Sequence, residues 1–182
     1  MTDPVAIRRL DAKGARAACP ALAAVLIDCV EGGASVSFMS PLAPERAMMF
    51  WQGVADGVAS GERIQLVAEE RTSGAILGTV QLVTAQPENQ PHRADLAKML
   101  VLRRARRHGI GATLMRAAER AALAAGRTLL VLDTASDDAG RLYARAGWTR
   151  VGTVPGYALW PSGGLCDTVY FYKWLGKPAG GP

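Results

Sequence analysis

Hydrophobic and polar positions follow one another along the chain in two patterns, one typical of strands and the other of helices. Residues 5–10 predict a short first strand, and residues 15–30 carry apolar side chains at helical spacing. Because proline is tolerated in the first turn of a helix, Pro20 leads us to predict that this helix begins near Cys19. A second helical pattern covers residues 45–58.

The middle of the chain predicts a hairpin followed by a central strand. Residues 64–69 and 75–83 are strand-like, and residues 71–74 between them have the composition of a turn. A polar segment that contains two prolines, residues 86–92, leads to an apolar strand at residues 94–102. We interpret the proline-containing segment as a loop and not as a domain boundary.

The last third completes an alternation of strands and helices that predicts a mixed α/β fold. A long helix rich in Ala, Leu and Arg ends at Gly126, and a shorter one begins at Ser136 and ends at Gly147. The remaining strands are predicted at residues 128–133, 148–152 and 168–175. A chain of 182 residues suits one domain, which we assign to residues 1–176, with residues 177–182 as a flexible tail.

Arginine and glycine gather at the turn between the central strand and the long helix, in the order Arg106-x-x-Gly109-x-Gly111. Closely spaced glycines let the backbone turn sharply, so that N–H groups and the helix dipole face an anion such as phosphate. A P-loop is excluded by Ala112, and a dinucleotide motif lacks its third glycine because Leu114 stands there. A tight turn with solvated arginines is the alternative interpretation.

The formal charge of +5 and the pI of about 9.4 admit nucleic acid, a membrane surface or a phosphorylated small molecule as a partner. Much of the excess charge lies in the arginines of residues 103–107. Nucleic-acid-binding surfaces usually spread their charge along a face with aromatic residues between. We therefore predict a compact anionic ligand and no nucleic-acid partner. The rival, a nucleic-acid binder, would show strongly salt-sensitive affinity.

Charged residues occupy the N-terminal segment in place of the apolar region of a signal peptide, and no apolar run reaches the length of a membrane span. We expect a cytoplasmic protein with no membrane partner. The three cysteines, Cys19, Cys29 and Cys166, share no metal-binding spacing. We interpret them as reduced core thiols and predict no metal site.

The order of elements and two motifs resemble the GCN5-related N-acetyltransferase (GNAT) superfamily. The arginine and glycine turn is similar to the acyl-CoA pyrophosphate loop of that superfamily. The pattern Ala139-x-x-Leu142-Tyr143-x-x-x-Gly147-Trp148 is similar to the closing helix of superfamily members. The resemblance implies an α/β fold with a mixed, mostly antiparallel central sheet, splayed central strands and four flanking helices.

The resemblance also implies acetyl-CoA as the acyl donor and a small amine as the acceptor. Residues 31–39, 132–134 and 149–157 are similar to superfamily members that inactivate a tabtoxinine-type β-lactam by acetylating its amino group. This similarity implies a role in toxin resistance. A non-catalytic acyl-CoA-binding sensor and an acetyltransferase for a protein or peptide amine are the alternatives. The sequence does not specify the oligomeric state.

The residues implied in cofactor binding lie at the end of the central strand, in the phosphate loop and at the start of the closing helix. The thioester carbonyl would accept a hydrogen bond from a main-chain N–H near the end of the central strand, where the strands splay. Ser136 stands where many GNAT members have Asn, and its side chain reaches less far. The set is Leu100, Val101, Leu102, Arg106, Arg107, His108, Gly109, Ile110, Gly111, Ala112 and Ser136.

Two side chains are candidates for acid and base chemistry. By resemblance, Tyr143 faces the thioester sulfur, and its phenol is a hydrogen-bond donor at neutral pH that suits protonation of a thiolate. A buried helix tyrosine without a chemical role is the alternative. Asp133, at the end of an apolar strand, is our candidate base for the amine. It could instead anchor an ammonium group or cap the next helix.

Five further residues are candidates for contact with the substrate. They lie in the loop after the first long helix, in the central strand and between the final strands: Glu31, Ser35, Phe38, Asp95 and Tyr157. Carboxylates would hold a cationic group, and Tyr157 would close the cleft. Phe38 is also explained by packing into the core. Were the substrate amino-acid-like, its carboxylate would need a cation or backbone donors that the sequence does not identify.

Overall fold

A computed structural model describes residues 4–176 of the chain. It contains seven strands and four α-helices. Their bounds are β1 Val5–Leu10, α1 Ala12–Glu31, α2 Pro44–Ala59, β2 Arg63–Glu70, β3 Ile76–Val83, β4 Arg93–Val101, α3 Ile110–Ala124, β5 Leu129–Thr134, α4 Asp137–Arg145, β6 Thr149–Leu159 and β7 Leu165–Trp174. The order of elements agrees with the sequence prediction, and the predicted tail at residues 177–182 lies outside the described residues.

The strands form one sheet in the order β1-β2-β3-β4-β5-β7-β6, and every neighbouring pair is antiparallel except β4 and β5. The parallel pairing is short, running from Arg93 opposite Leu129 to Asp95 opposite Val131. Strand β4 nevertheless continues to Val101. The two central strands therefore diverge toward their carboxyl ends, which confirms the predicted mixed sheet with splayed central strands.

A β-bulge interrupts strand β4 just before the point of divergence. Thr79 of β3 lies opposite Leu100, whereas Gln81 lies opposite Ala97, so β4 carries one extra residue in this interval. Within it, Lys98 has a φ of 49°, in the left-handed region that non-glycine residues seldom adopt. Such an extra residue bends the strand and redirects a side chain.

Two hydrophobic layers cover the sheet. One joins α1 and α2 to the sheet, with Leu26 and Trp51 fully buried. The other packs α3 and α4 against the opposite face, with Leu114 and Leu130 at its centre. Since α4 is anchored in the second layer, the side chains at its start are held at the carboxyl ends of the diverging strands.

Helix α1 begins at Ala12 and not near Cys19, so the predicted start was wrong. Asp11 is the N-cap, and its carboxylate accepts a hydrogen bond of 2.7 Å from the backbone N–H of Gly14. The first two turns also bury Ala15 against the core. The cap and this burial outweigh the hydrogen bond that Pro20 removes inside the helix.

Strand β6 extends to Leu159, whereas the sequence predicted a strand at residues 148–152 and placed Tyr157 between the final strands. A register irregularity between Val154 and Ala158 accommodates the Pro155-Gly156 pair. This is possible because β6 is the edge strand, where a missing N–H donor and a bulge are tolerated. Tyr157 therefore lies on a strand and not on a separate loop.

Candidate active site

The predicted phosphate loop leads directly into helix α3. Gly109 is the N-cap with a φ of 78°, and no side chain caps the helix. The first turn contains no acidic residue, so its N–H groups and the positive end of the dipole face outward without a competing carboxylate. At Gly111 a Cβ atom would lie 3.2 Å from Leu142 Cδ2, which explains the close approach of α3 and α4.

The basic residues of this loop differ in whether the protein binds their side chains. The Arg103 side chain donates from Nε to Asp28 Oδ1 at 2.9 Å, and Arg106 donates from Nε to the Val101 carbonyl at 3.2 Å. Both thus fasten the loop to its surroundings. By contrast, Arg107 and His108 are exposed, and within residues 4–176 they make no protein hydrogen bond or ion pair.

The Arg103 contact sets the charge state of Asp28. Partial burial alone would raise the pKa of the Asp28 carboxyl, but hydrogen bonds from the Arg103 backbone and guanidinium lower it overall. The carboxylate accepts a hydrogen bond of 2.8 Å from the Arg103 backbone N–H in addition to the one from the Arg103 side chain. This arrangement ties the phosphate loop to helix α1.

The divergence of β4 and β5 leaves a gap bordered by backbone. The Leu102 N–H donates to the Leu77 carbonyl at 2.9 Å, on the β3 side. Because hydrogen bonding alternates from one residue to the next, the backbone of Val101 faces the gap. Since the Val101 carbonyl accepts from Arg106, the Val101 N–H is the main-chain group that this geometry offers to a ligand.

Tyr143 is buried on helix α4 beside the aromatic rings of Trp148 and Phe171, at centroid distances of 6.0 and 5.6 Å. Burial raises the pKa of its phenol well above the ordinary value, and the negative charge of Asp133 raises it further. The phenol therefore keeps its proton at neutral pH. No protein group within residues 4–176 hydrogen-bonds its hydroxyl.

Asp133 is exposed near the end of β5, and Thr168 Oγ1 on the neighbouring strand donates to its Oδ2 at 2.9 Å. It does not cap helix α4, so that alternative is wrong. The N-cap is Ser136, whose hydroxyl oxygen accepts from the Ala139 N–H at 3.3 Å. Because this oxygen acts as the acceptor, the Ser136 O–H stays free to donate to a ligand.

A cavity of about 290 Å³ lies between the loop after α1 and the β6-β7 hairpin. Four predicted residues line it, namely Asp133, Ser35, Phe38 and Tyr157. An adjoining open cleft of about 660 Å³ surrounds the start of α4, including Ser136. The structure thus brings the candidate base and three predicted substrate residues to one cavity, next to the cleft that Ser136 of the predicted cofactor set lines.

The other two predicted substrate residues lie elsewhere. Glu31 is exposed at the end of α1, where its charge acts on Arg103. Asp95 accepts hydrogen bonds from Gln86 at 3.1 Å and from Arg93 at 3.2 Å. Neither lines the cavity, because one lies on the phosphate-loop side and the other lies within β4 beside its own cationic partner.

Strand β7 contributes two residues that the sequence analysis missed, one that lines the cavity and one that contacts Tyr157. Thr168 lines it and orients Asp133, and the Tyr170 hydroxyl donates to the Tyr157 hydroxyl at 3.1 Å. That hydrogen bond, with burial second, raises the pKa of Tyr170 to about 12. The sequence signal for these residues was the alternation of polar positions 168 and 170, because alternate residues of a strand lie on the same face.

A model of the acetyltransferase (GNAT) family matches residues 37–148, which include the β4 bulge, the phosphate loop and helix α4. The chain belongs to the GNAT family. This confirms the resemblance drawn from the sequence motifs, and members of the family use acetyl-CoA as the acyl donor. The described chain contains no helix long and apolar enough to cross a membrane.

Relatives agree with the family assignment. The chain is 36% identical over 108 residues to an uncharacterised N-acetyltransferase from the hisH-hisA intergenic region of Azospirillum brasilense. That match covers 58% of this chain and only 61% of the relative.

Solved structures share the fold at low sequence identity. The N-acetyltransferase of Staphylococcus aureus Mu50 has a TM-score of 0.77 at 19% identity, covering 96% of this chain and 100% of that one. YncA of Salmonella typhimurium, solved with acetyl-CoA, has a TM-score of 0.77 at 18% identity over 98% of both chains. A phosphinothricin acetyltransferase of Sinorhizobium meliloti, also with acetyl-CoA, has a TM-score of 0.76 at 16% identity, covering 96% and 90%.

Proposed function

We propose that this protein is an acetyl-CoA-dependent N-acetyltransferase that acts on the primary amine of a small molecule. The observation that carries the proposal is the placement of Tyr143 and Asp133 around the divergence of β4 and β5. Asp133 lines a cavity of about 290 Å³, and Tyr143 lies in the adjoining helix with its phenol protonated.

The residues present fit acetyl-CoA. The first turn of α3 has no side-chain cap, and Arg107 and His108 beside it have no hydrogen-bond or ion-pair partner among the described residues, which suits a pyrophosphate. The free O–H of Ser136 suits the amide-bearing arm. When bound, acetyl-CoA supplies an acetyl group activated as a thioester.

The proposed chemistry divides among three groups of the chain. Asp133 takes a proton from the ammonium form of the acceptor, either directly or through water, which frees the nitrogen lone pair. The Val101 N–H, facing the gap, donates to the carbonyl oxygen on which negative charge develops. As the C–N bond forms and the C–S bond breaks, Tyr143 gives its proton to the departing thiolate. The second proton that the new amide nitrogen loses then returns to the phenol, directly or through water.

We propose a small molecule as the acceptor, because the cavity of about 290 Å³ that Asp133 lines has the size of a small-molecule pocket. Within this class we propose a tabtoxinine-type β-lactam, with toxin resistance as the result. Residues 31–39, 132–134 and 149–157 resemble the tabtoxin resistance protein, which supports this choice. A structural neighbour named as a phosphinothricin acetyltransferase also supports a small acceptor.

We place the protein in the cytoplasm. Cys19, Cys29 and Cys166 are all buried as free thiols, as expected in a reducing compartment.

The test measures free thiol released from acetyl-CoA against amino acids, dipeptides, polyamines, aminoglycosides and a tabtoxinine-type β-lactam. We expect one class to be acetylated at saturable rates and Tyr143→Phe to lose that activity. Tight binding of acetyl-CoA with no turnover of any amine would contradict the proposal and favour a non-catalytic sensor. Turnover of peptides alone would contradict the choice of a small acceptor.

A further inference from the structure

Lys98 has an unusual place beside the cavity. It is the charged residue in the bulged part of β4, and its φ of 49° lies in the left-handed region. Its Nζ atom donates to Ser37 Oγ at 3.1 Å, and Ser37 also has a left-handed φ, of 78°. Two non-glycine residues with left-handed backbone conformations are thus joined by a side-chain hydrogen bond. Backbone strain of this kind is concentrated at functional sites.

The positive charge of Lys98 forms no ion pair with the part of the chain that the structure describes. Its ammonium group is 5.6 Å from the centre of the Phe50 ring, and within residues 4–176 no carboxylate lies within 4 Å of it. Burial lowers its pKa, a shift that the charge of Asp133 partly offsets and that of Arg63 reinforces. A half-buried cation is normally paired, so an anion from outside the chain would complete this site.

Ser37 connects this charge to the cavity. Its side chain is among those that line the cavity, together with Asp133. Since Ser37 Oγ accepts from Lys98, its own hydroxyl hydrogen is free to donate. A hydroxyl polarised by an ammonium group on one side is a strong donor to an anion on the other.

We propose that Lys98 and Ser37 bind an anionic group of the acceptor, such as a carboxylate, while Asp133 receives its amine. The acceptor is accordingly a zwitterion of the amino-acid type. This inference rests on the proposed acetyltransferase function and identifies Lys98 as a specificity-determining residue. It also names the cation that a carboxylate-bearing substrate would require.

The test uses matched triplets of probes: a free amino acid, its carboxamide and the corresponding decarboxylated amine, for each of the common amino acids. Thiol release from acetyl-CoA gives kcat and KM for each probe. We expect the wild-type protein to prefer at least one free acid over its amide. Lys98→Met should raise KM for that acid on the order of 10- to 100-fold, with kcat nearly unchanged and the amide unaffected.

Three variants control the result. Lys98→Arg keeps the charge and should restore part of the affinity for the acid, whereas Lys13→Met makes the same substitution at an exposed site and should change nothing. Ser37→Ala removes only an exposed hydroxyl and should also reduce the preference for the acid. This last variant keeps the inference testable even if Lys98→Met does not fold.

Each outcome decides between the two proposals. If amides or amines are acetylated as well as the acids, the proposed function stands and the inference about Lys98 is wrong. A fall in kcat on every probe in Lys98→Met would place Lys98 in the chemical step and also overturn it. If no member of the triplets is acetylated although a polyamine or an aminoglycoside is, the zwitterion inference is wrong and the proposed function stands.

Discussion

At the scale of single residues, Tyr143 has the two properties that a proton donor to a thiolate requires. It retains its proton, because burial raises the pKa of its phenol, and its hydroxyl makes no protein hydrogen bond within the described part of the chain. The contacts with Trp148 and Phe171 hold the ring in place. A phenylalanine would preserve those contacts and remove only the hydroxyl.

Tyr143→Phe should therefore keep the affinity for acetyl-CoA and lose turnover by roughly 10²- to 10⁴-fold, the range of general acids. Steady-state kinetics and calorimetric titration with acetyl-CoA measure the two quantities separately. Turnover close to wild type would remove Tyr143 from the acid role.

The raised pKa of Tyr143 also predicts the pH profile. Because the folded-state pKa lies above the ordinary value of about 10, the phenol stays protonated throughout the range from neutral pH to about pH 10. The profile of kcat/KM should show no loss of rate in that range that depends on Tyr143. An alkaline limb near pH 9 that disappears in Tyr143→Phe would contradict this account.

Asp133 is the second residue whose role is open to direct test. Asp133→Asn keeps an acceptor for Thr168 but cannot take a proton, so the rate should reach its plateau at a higher pH, where the amine is already neutral. Thr168→Val should cause a smaller change in the same direction, because it removes only the hydrogen bond that orients the carboxylate. If neither pH profile nor amine KM changes, Asp133 has no part in the reaction.

At the scale of elements, Arg107 has no partner within residues 4–176 and lies beside the start of helix α3, which has no side-chain cap. Arg107→Gln should raise KM for acetyl-CoA roughly 3- to 10-fold, since one charge-assisted contact to phosphate is lost. Arg120→Gln makes the same change at an exposed position of the same helix and serves as the control. Equal effects of the two substitutions would mean that only the overall charge matters.

Strands β3 and β4 depend on close backbone contact beside the bulge. A Cβ atom at Gly78 would lie 2.7 Å from the Leu100 carbonyl oxygen, whereas one at Gly53 on helix α2 would meet nothing within 4 Å. Gly78→Ala should lower the free energy of unfolding by about 1–3 kcal/mol, the cost of overpacking. Gly53→Ala should raise it by about 0.5–1 kcal/mol, the helix penalty of glycine.

Denaturant unfolding of both variants checks this contrast. If Gly78→Ala left the free energy of unfolding unchanged, the backbones of β3 and β4 would be able to move apart without loss of stability.

At the scale of the whole molecule, the sequence predicted what depends on local pattern. The order of strands and helices followed from the spacing of apolar residues. The phosphate loop at Gly109 was predicted because a turn into a helix is specified by a few neighbouring residues. Helix α1 was predicted too short, since the effect of Pro20 was given more weight than the Asp11 cap.

The site itself depends on contacts between distant residues, which a single sequence does not reveal. Lys98 and Ser37 are 61 positions apart, and Asp133 and Thr168 are 35 apart. The bulge that turns Lys98 toward Ser37 is a property of strand pairing and not of composition. A lone lysine in an apolar strand was nevertheless a visible signal.

The most direct test of the account is the transfer of an isotopically labelled acetyl group from acetyl-CoA, followed by mass spectrometry of the amine acceptor. We predict label on the acceptor nitrogen in amounts equal to the CoA released, and roughly 10²- to 10⁴-fold less with Tyr143→Phe over the same time. Label appearing only in free acetate, or acetyl-CoA bound tightly without any transfer, would contradict the assignment of this site to N-acetylation.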